Sequence, residues 1–347
     1  MSLLYTALTF LVVLSVLVFA HELGHFFVAK RSGIRVQEFG FGYPPRLLGV
    51  RYGETLYSLN LLPLGGFVKM LGENAAPGEP RAFASKSKTV RATVLIAGSA
   101  MNLLLAPLLF SGALMAGEPV PCDNCGHVQV YGVQAGTPAA QAGLREGDVF
   151  VSIQGELVRE TEDVQRAVQR AGESEIAVVV TRQARAVPLR LTPRPSASGR
   201  IMIGIGLGPE YITIRRPVWQ AVPMGFVRTW ETVKQFLAGL KEIITRQQPA
   251  QLAGPVGIAQ MTGRAARAGF SYLLQFTAFL SLNLAIFNLL PIPGLDGARL
   301  AFVLLEGARG RRVNPQLEGL IHFVGLVLLI GLMVLVSFND VRRLIPT

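Results

Sequence analysis

An uncharged apolar run from Leu3 to Ala20 passes without a break into His21-Glu22-Leu23-Gly24-His25 and continues through Phe26, Phe27 and Val28. Such a run is long enough to be a helix crossing most of a bilayer, since at about 1.5 Å per residue His21 lies roughly 27 Å from Leu3. Polar side chains at that depth are costly unless something binds them. On one helix His21 and His25 share a face, so their imidazoles can hold a single Zn²⁺ while Glu22 reaches a water beside it. The rest of the chain must then supply a third ligand, a substrate and a route for water.

Three more stretches, Ala92 to Met115, Leu273 to Leu290 and Leu320 to Phe338, are apolar over membrane-crossing lengths. With 347 residues, 50% of them hydrophobic and 16% charged, the chain is too apolar for an ordinary soluble protein and too long for one membrane hairpin. A net charge of +11 would suggest nucleic acid in a soluble protein; here its distribution reads as topology, and no nucleic-acid partner is expected. Lys30 to Arg91 carries ten Lys/Arg against four Glu, whereas Glu118 to Arg216 carries eleven of each sign. The first loop is therefore expected on the cytoplasmic side and the second, of domain size, outside. Arg299, Arg309, Arg311 and Arg312 fall inside by alternation, while Arg342 and Arg343 run against the rule. Met1 to Tyr5 has no Lys or Arg, so the first run is expected to be a retained span and not a cleaved signal peptide. A soluble zinc enzyme behind a signal peptide is excluded, because the histidines would leave with the peptide. Cys122 and Cys125 provide no disulfide framework and read as a tight disulfide or two idle thiols.

The first loop contains short β-prone runs, Phe39 to Pro45, Thr55 to Asn60 and Leu64 to Val68, broken by Gly and Pro. This pattern predicts a hairpin dipping into the membrane interface, or else a cytoplasmic loop packed on the helices, with a mobile tip over Glu73 to Arg81. In the second loop, Gly126 to Pro193 predicts a small α+β domain with a helix near Glu160 to Arg170 and strands at Glu175 to Thr181 and Val187 to Leu191. Its Gly136-Thr-Pro-Ala-Ala, Ala142-Gly-Leu, Gly147-Asp and Ile153-Gln-Gly pattern resembles a bacterial PDZ domain, a fold that takes a peptide end at a sheet edge. From Val218 to Arg246, Phe226, Trp230, Val233, Leu237, Leu240 and Ile244 recur at spacings of three and four, predicting an amphipathic helix, either at the outer membrane surface or packed under the second-loop domain. Asn283 and Asn288 sit inside the third apolar stretch, and Pro291-Ile-Pro-Gly-Leu-Asp296-Gly follows it. An Asp at the end of a span calls for a pair or a metal. The first and third spans run in the same direction, which brings His21, His25 and Asp296 to one side. His322 reads as a cap of the fourth span or a proton relay, and His127 as a surface residue.

Together, His21-Glu-Leu-Gly-His25, Gly98-Ser-Ala-Met-Asn102, the PDZ-like pattern, Gly254-Pro-Val-Gly-Ile and Asn288-Leu-Leu-Pro-Ile-Pro-Gly-Leu-Asp296-Gly resemble, in family order, the bacterial site-2 proteases of the sigma-E regulator type. The resemblance implies an intramembrane zinc metalloprotease with His21, His25 and Asp296 as zinc ligands and Glu22 as catalytic base. Substrate backbone would be held by Asn288 and by the re-entrant segment around Gly65, Gly66 and Phe67, with Asn283 a further candidate. The substrates it implies are single-pass membrane proteins, such as a trimmed anti-sigma factor or remnant signal peptides, cut within the bilayer of a bacterial inner membrane. A catalytically idle scaffold carrying a PDZ domain and a structural zinc is the competing expectation. The chain departs from the family at Ser99 and Ala298, where Pro and Gly are common, and has room for one PDZ domain where two are frequent.

The expected fold is a multi-pass α-helical membrane protein with four transmembrane helices, a re-entrant β-hairpin and one inserted extracytoplasmic PDZ domain. The expected segments are a first span (1–30), a cytoplasmic loop with the hairpin (31–91), a second span (92–117) and the PDZ domain with its flanks (118–208). An amphipathic interfacial region (209–269), a third span carrying Asp296 (270–297), a cytoplasmic loop (298–319) and a fourth span with tail (320–347) complete the chain.

Overall fold

A computed structural model describes residues 3–73, 78–122, 128–196, 199–209, 211–245 and 254–342. The first part of the chain forms α1 (Leu3–Arg31), β1 (Val36–Tyr52), β2 (Thr55–Met70) and α2 (Lys88–Ala116). Then come β3 (Glu118–Pro121), β4 (Val128–Val133), α3 (Pro138–Gln141), β5 (Val149–Ile153), β6 (Glu156–Leu157), α4 (Thr161–Ala171), β7 (Ile176–Arg182) and β8 (Arg185–Leu191). Short strands β9 (Arg194–Pro195), β10 (Ile201–Met202), β11 (Ile205–Pro209) and β12 (Tyr211–Ile214) follow. The chain closes with α5 (Val218–Ile244), α6 (Pro255–Ala268), α7 (Phe270–Leu289), α8 (Asp296–Arg309) and α9 (Pro315–Arg342). Two units result, Met1–Ala116 with Arg215–Thr347, and Gly117–Ile214.

In the helical unit, α1, α2, α7 and α9 are long and apolar enough to cross a membrane. Each of the four expected apolar stretches lies in one of these helices, and α2 and α9 extend past their apolar cores into charged flanks such as Lys88 and Arg342. Helices without water between them gain by close approach of small residues and by side-chain hydrogen bonds. Both occur here. A Cβ on Gly24 of α1 would lie 2.2 Å from the Ala97 carbonyl oxygen of α2. Ser281 and Ser271 of α7 donate to the carbonyls of Asn102 and Ala113 on α2, at 2.8 and 2.9 Å, around a core of Ala106, Phe110, Ala278 and Leu282. The expected amphipathic helix is α5, and a second helix, α6, follows it within the same region. In α5, Gly225 is seated so closely on Pro107 and Ser111 that a Cβ would meet them at 2.6 and 2.2 Å, and Phe236 packs edge-on against Phe287 of α7. In α6, a Cβ on Gly263 would lie 2.7 Å from Thr6 of α1. The packed face of α5 is the small-residue one at Ala221, Gly225 and Thr229, while Phe226, Trp230 and Leu237 of its apolar stripe remain exposed.

The expected hairpin is a larger sheet. Phe39 pairs with Val68 on one side and with Tyr57 on the other, so the first half of β1 is central. Residues 46–52, 55–60, 36–43 and 62–70 lie side by side in that order. Gly42 (φ +79°) and Gly65 (φ +127°) take backbone conformations that side chains disfavour, and Pro44 and Pro45 cannot donate to a ladder, so each strand changes partner near these residues. Leu48, Val50 and Tyr52 on the outer ribbon are exposed. At its turn the sheet is tied to α1 by Glu54, which accepts from Arg81 (2.7 Å) and Lys30 (3.1 Å); these bonds hold the Glu54 carboxyl well below the usual range. Residues 74–77, the centre of the expected mobile tip, lie outside the described residues, as do Cys125 and His127. Cys122 is in a disulfide.

The inserted unit has a sheet of order β11-β4-β5-β7-β8, with β6 paired to β5. The helix and two strands expected after Glu160 are α4, β7 and β8. The fifth strand, β11, lies beyond the expected end at Pro193, because Ile205-Gly-Leu-Gly-Pro209 is glycine-rich and reads as a loop. Alternation in β7 sends Ile176, Val178 and Val180 into a core with Phe150, Val130, Val164 and Val168, where a fully buried side chain such as Phe150 contributes roughly 1.5–3 kcal/mol. Asp148 is fully buried and accepts from Arg182 Nε and Nη2 (both 2.7 Å) and from the Arg145 N–H (2.9 Å). Burial would raise its pKa, but the Arg182 and Arg145 interactions outweigh that and hold it low. Asp148→Ala is expected to destabilise this unit by about 3 kcal/mol through loss of a buried pair. A group depressed in the folded state stabilises above its unfolded value and loses that contribution as pH falls. Thermal unfolding of the full protein should therefore show wild-type stability declining below about pH 4, and a flatter profile there for Asp148→Ala.

Candidate metal centre

His21 and His25, one turn apart on α1, are both buried, and their Nε2 atoms lie 3.1 Å apart. Asp296 Oδ2 is 3.0 Å from His21 Nε2 and 3.2 Å from His25 Nε2. His25 Nδ1 is 2.8 Å from the Val94 carbonyl, which can only accept, so Nδ1 carries the proton and Nε2 presents a lone pair to the cluster. Three donor atoms facing one another repel unless a cation lies among them. A tetrahedral zinc with bonds of about 2.0–2.1 Å would set its ligand atoms about 3.3–3.4 Å apart, and these separations fit that set with slight adjustment. Three protein donors also leave a fourth position free, as a catalytic site requires.

Each neighbour of the cluster is small for a reason. On α2, a Cβ at Gly98 would lie 2.3 Å from His25 Nε2 and 2.7 Å from His21 Nε2. Asp296 is not the end of the third span. Pro291 and Pro293 end α7 at Leu289, and Asp296 opens the separate helix α8, whose N-terminal dipole favours a carboxylate. Gly297 lets the chain double back, since a Cβ there would be 2.1 Å from the Leu290 carbonyl oxygen. Residues expected to form a cytoplasmic loop from 298 are thus mostly α8, which stops at Gly310 in a left-handed conformation. The turn before Asp296 is clasped by α9: the Gly294 N–H donates to His322 Nδ1 at 3.1 Å, and a Cβ on Gly325 would lie 2.2 Å from Pro293 Cβ. His322 therefore caps this turn.

The edge ribbon 62–70 runs past Glu22. A Cβ on Gly66 would lie 3.6 Å from Glu22 Cγ, and the Val68 N–H is directed at the Glu22 carboxylate. Gly65 abuts Val18, with a Cβ position 2.7 Å from Val18 Cγ1, and the Phe67 ring stacks on Tyr43 at 6.2 Å. Asn283 spends its amide donor on Phe279 of its own helix, at 2.8 Å. Asn288 is half-buried, and its side chain makes no hydrogen bond among the described residues. A cavity of about 330 Å³, with Glu73, Arg91, Arg299, Glu306 and Arg312 in its lining, adjoins the same helices. The roles of Val94 and Gly98 were not legible from sequence; the signal was the placement of Gly98 on the face that meets α1.

A family model described as Peptidase family M50 matches residues 9–332. A protein of Clostridium perfringens is 37% identical over 95% of this chain and 97% of its own length. The regulator of sigma-W protease RasP of Bacillus subtilis is 32% identical over 98% of this chain and 99% of its own. A solved PDZ domain from Listeria monocytogenes covers 25% of this chain and 90% of its own at 20% identity, with a TM-score of 0.22. Gly98→Ala is expected to displace both imidazoles, so the purified variant should carry a small fraction of the wild-type metal by elemental analysis.

Proposed function

The chain belongs to peptidase family M50, the site-2 proteases, and from that premise we propose that it hydrolyses peptide bonds inside the spans of single-pass membrane proteins. It is a zinc metalloendopeptidase and an integral membrane protein. His21, His25 and Asp296 hold the zinc, and Glu22 is the general base. The observation that carries this reading is the convergence of the three donor atoms within 4.8 Å of one another, in a helix bundle, beside a strand edge that passes Glu22.

When bound, zinc polarises a carbonyl and lowers the pKa of water toward about 7. Glu22 takes the proton from the attacking water and returns it to the leaving amine, so the carboxylate is regenerated. A substrate helix already bonds each of its carbonyls, so it must unwind before it is cut. The ribbon 62–70 pairs with β1 on one side; its other edge offers the unwound segment backbone partners by strand addition. Gly65, Gly66 and Phe67 lie on this ribbon, and the uncommitted amide of Asn288 is the second holder of substrate backbone. Asn283 is the weaker candidate, its donor being engaged within α7. Water reaches the site from the side of the polar first loop.

The charge of the first loop places that side, with the active site, toward the cytoplasm, and the N-terminus with the inserted unit outside, in a bacterial inner membrane. The inserted unit acts as a PDZ domain that screens out untrimmed ectodomains or holds a peptide end between β11 and α4. The name of the RasP relative suggests an anti-sigma factor as substrate; remnant signal peptides share the same chemistry. Glu22→Gln is expected to keep its zinc and lose at least about 10²-fold in cleavage of a model transmembrane substrate. Equal cleavage by both proteins removes Glu22 from the mechanism, and none by either favours an idle scaffold. Asn288→Ala should also bind zinc normally while cleaving more slowly, and wild-type turnover in that variant would exclude its role.

A further inference from the structure

Buried polar groups on the facing helices α1 and α2 remain unpaired. His21 Nδ1, both amide atoms of Asn102 and the Ser99 hydroxyl make no hydrogen bond among the described residues. Asn102 is 0% and Ser99 1% exposed. An unsatisfied buried group costs about 1–3 kcal/mol, so four such atoms on one helix pair imply a shared partner.

Their placement indicates which. The helices α1 and α2 run antiparallel here, with His25 against Val94, Gly24 against Ala97 and Met101, and His21 against Gly98. The Gly98 Cβ position is 2.7 Å from both Nε2 and Cε1 of His21, and Cε1 is bonded to Nδ1. Asn102 follows Gly98 by one turn on the same face of α2. Moving from His25 to His21 along α1 therefore moves from Val94 toward Asn102 along α2. His25 has its Nδ1–H fixed by the Val94 carbonyl, and His21 has no protein partner for the same atom.

We propose that Asn102 is the positioning residue for His21, accepting its Nδ1–H through one buried water that also bonds the Ser99 hydroxyl. A water with three polar partners is the ordinary way such groups are satisfied. The bond holds His21 in the tautomer whose Nε2 lone pair faces Asp296 and His25, and it fixes the ring plane. It makes Gly98-Ser99-Ala100-Met101-Asn102 a single device, in which Gly98 makes room for the imidazoles and Ser99 and Asn102 orient one of them.

This inference rests on His21, His25 and Asp296 being the zinc ligands, so the experiment tests both. Full-length protein in detergent is titrated with a chelator to obtain zinc affinity, and the cobalt-substituted form is read by its visible spectrum. Asp296→Ala should fail to retain zinc; wild-type retention would overturn the ligand assignment itself. Asn102→Ala should bind zinc about tenfold more weakly and shift the cobalt spectrum, whereas Asn102→Asp, which keeps an acceptor at the same reach, should restore affinity. Ser99→Ala, a milder change, should weaken zinc in the same direction by a smaller factor. Wild-type affinity and spectrum in Asn102→Ala, or equal loss in the Ala and Asp variants, would overturn the role of Asn102 while leaving the ligand assignment standing.

Discussion

Charge compensation in an apolar bundle is the constraint on which the fold depends. Two neutral imidazoles would leave a divalent cation with its full charge in surroundings of low dielectric, where an uncompensated ion is prohibitively expensive. On the proposed zinc reading a carboxylate must therefore reach α1, and Asp296 comes from a turn that interrupts the bundle. Placing it takes Pro291 and Pro293 to end α7, Gly297 to reverse the chain, and His322 and Gly325 to hold the turn from α9. The buried Arg91–Glu306 pair then ties α8 back to α2. Much of the helical unit can be understood as support for one oxygen atom.

The sheet answers a different demand. A helix gives a protease nothing to cut, because its carbonyls are bonded and screened, so an enzyme that cuts within spans, as proposed, needs a surface that stabilises extended chain. An edge strand is a hazard in a soluble protein because it recruits other strands. Beside Glu22 the same property becomes useful, and Glu54, bonded to Lys30 and Arg81, anchors the sheet to the first helix.

Sequence alone was informative where chemistry is local. His21, Glu22 and His25 are one turn of one helix, and four apolar stretches mark four helices. It was less informative where tertiary packing decides. The strip Phe226 to Ile244 stands out by its periodicity, but α5 meets α2 through Gly225, which no apolar pattern marks. The strand Ile205–Pro209 is hidden by its glycines, and the hairpin became a larger sheet because Gly42 and Gly65 let each strand change partner. The separate helix α8 was hidden because the Asp that begins it also looks like the end of a span. Asn102 stood in a quoted motif, but its isolation inside the bundle is visible only in three dimensions.

His21 and Asp296 are 275 residues apart in sequence. During synthesis the first helix enters the membrane long before the turn that carries the carboxylate has been made. If the three residues hold zinc as proposed, the centre until then lacks one of its three donors. On the proposed reading, the order of the segments leaves the centre incomplete until nearly the whole polypeptide has been made.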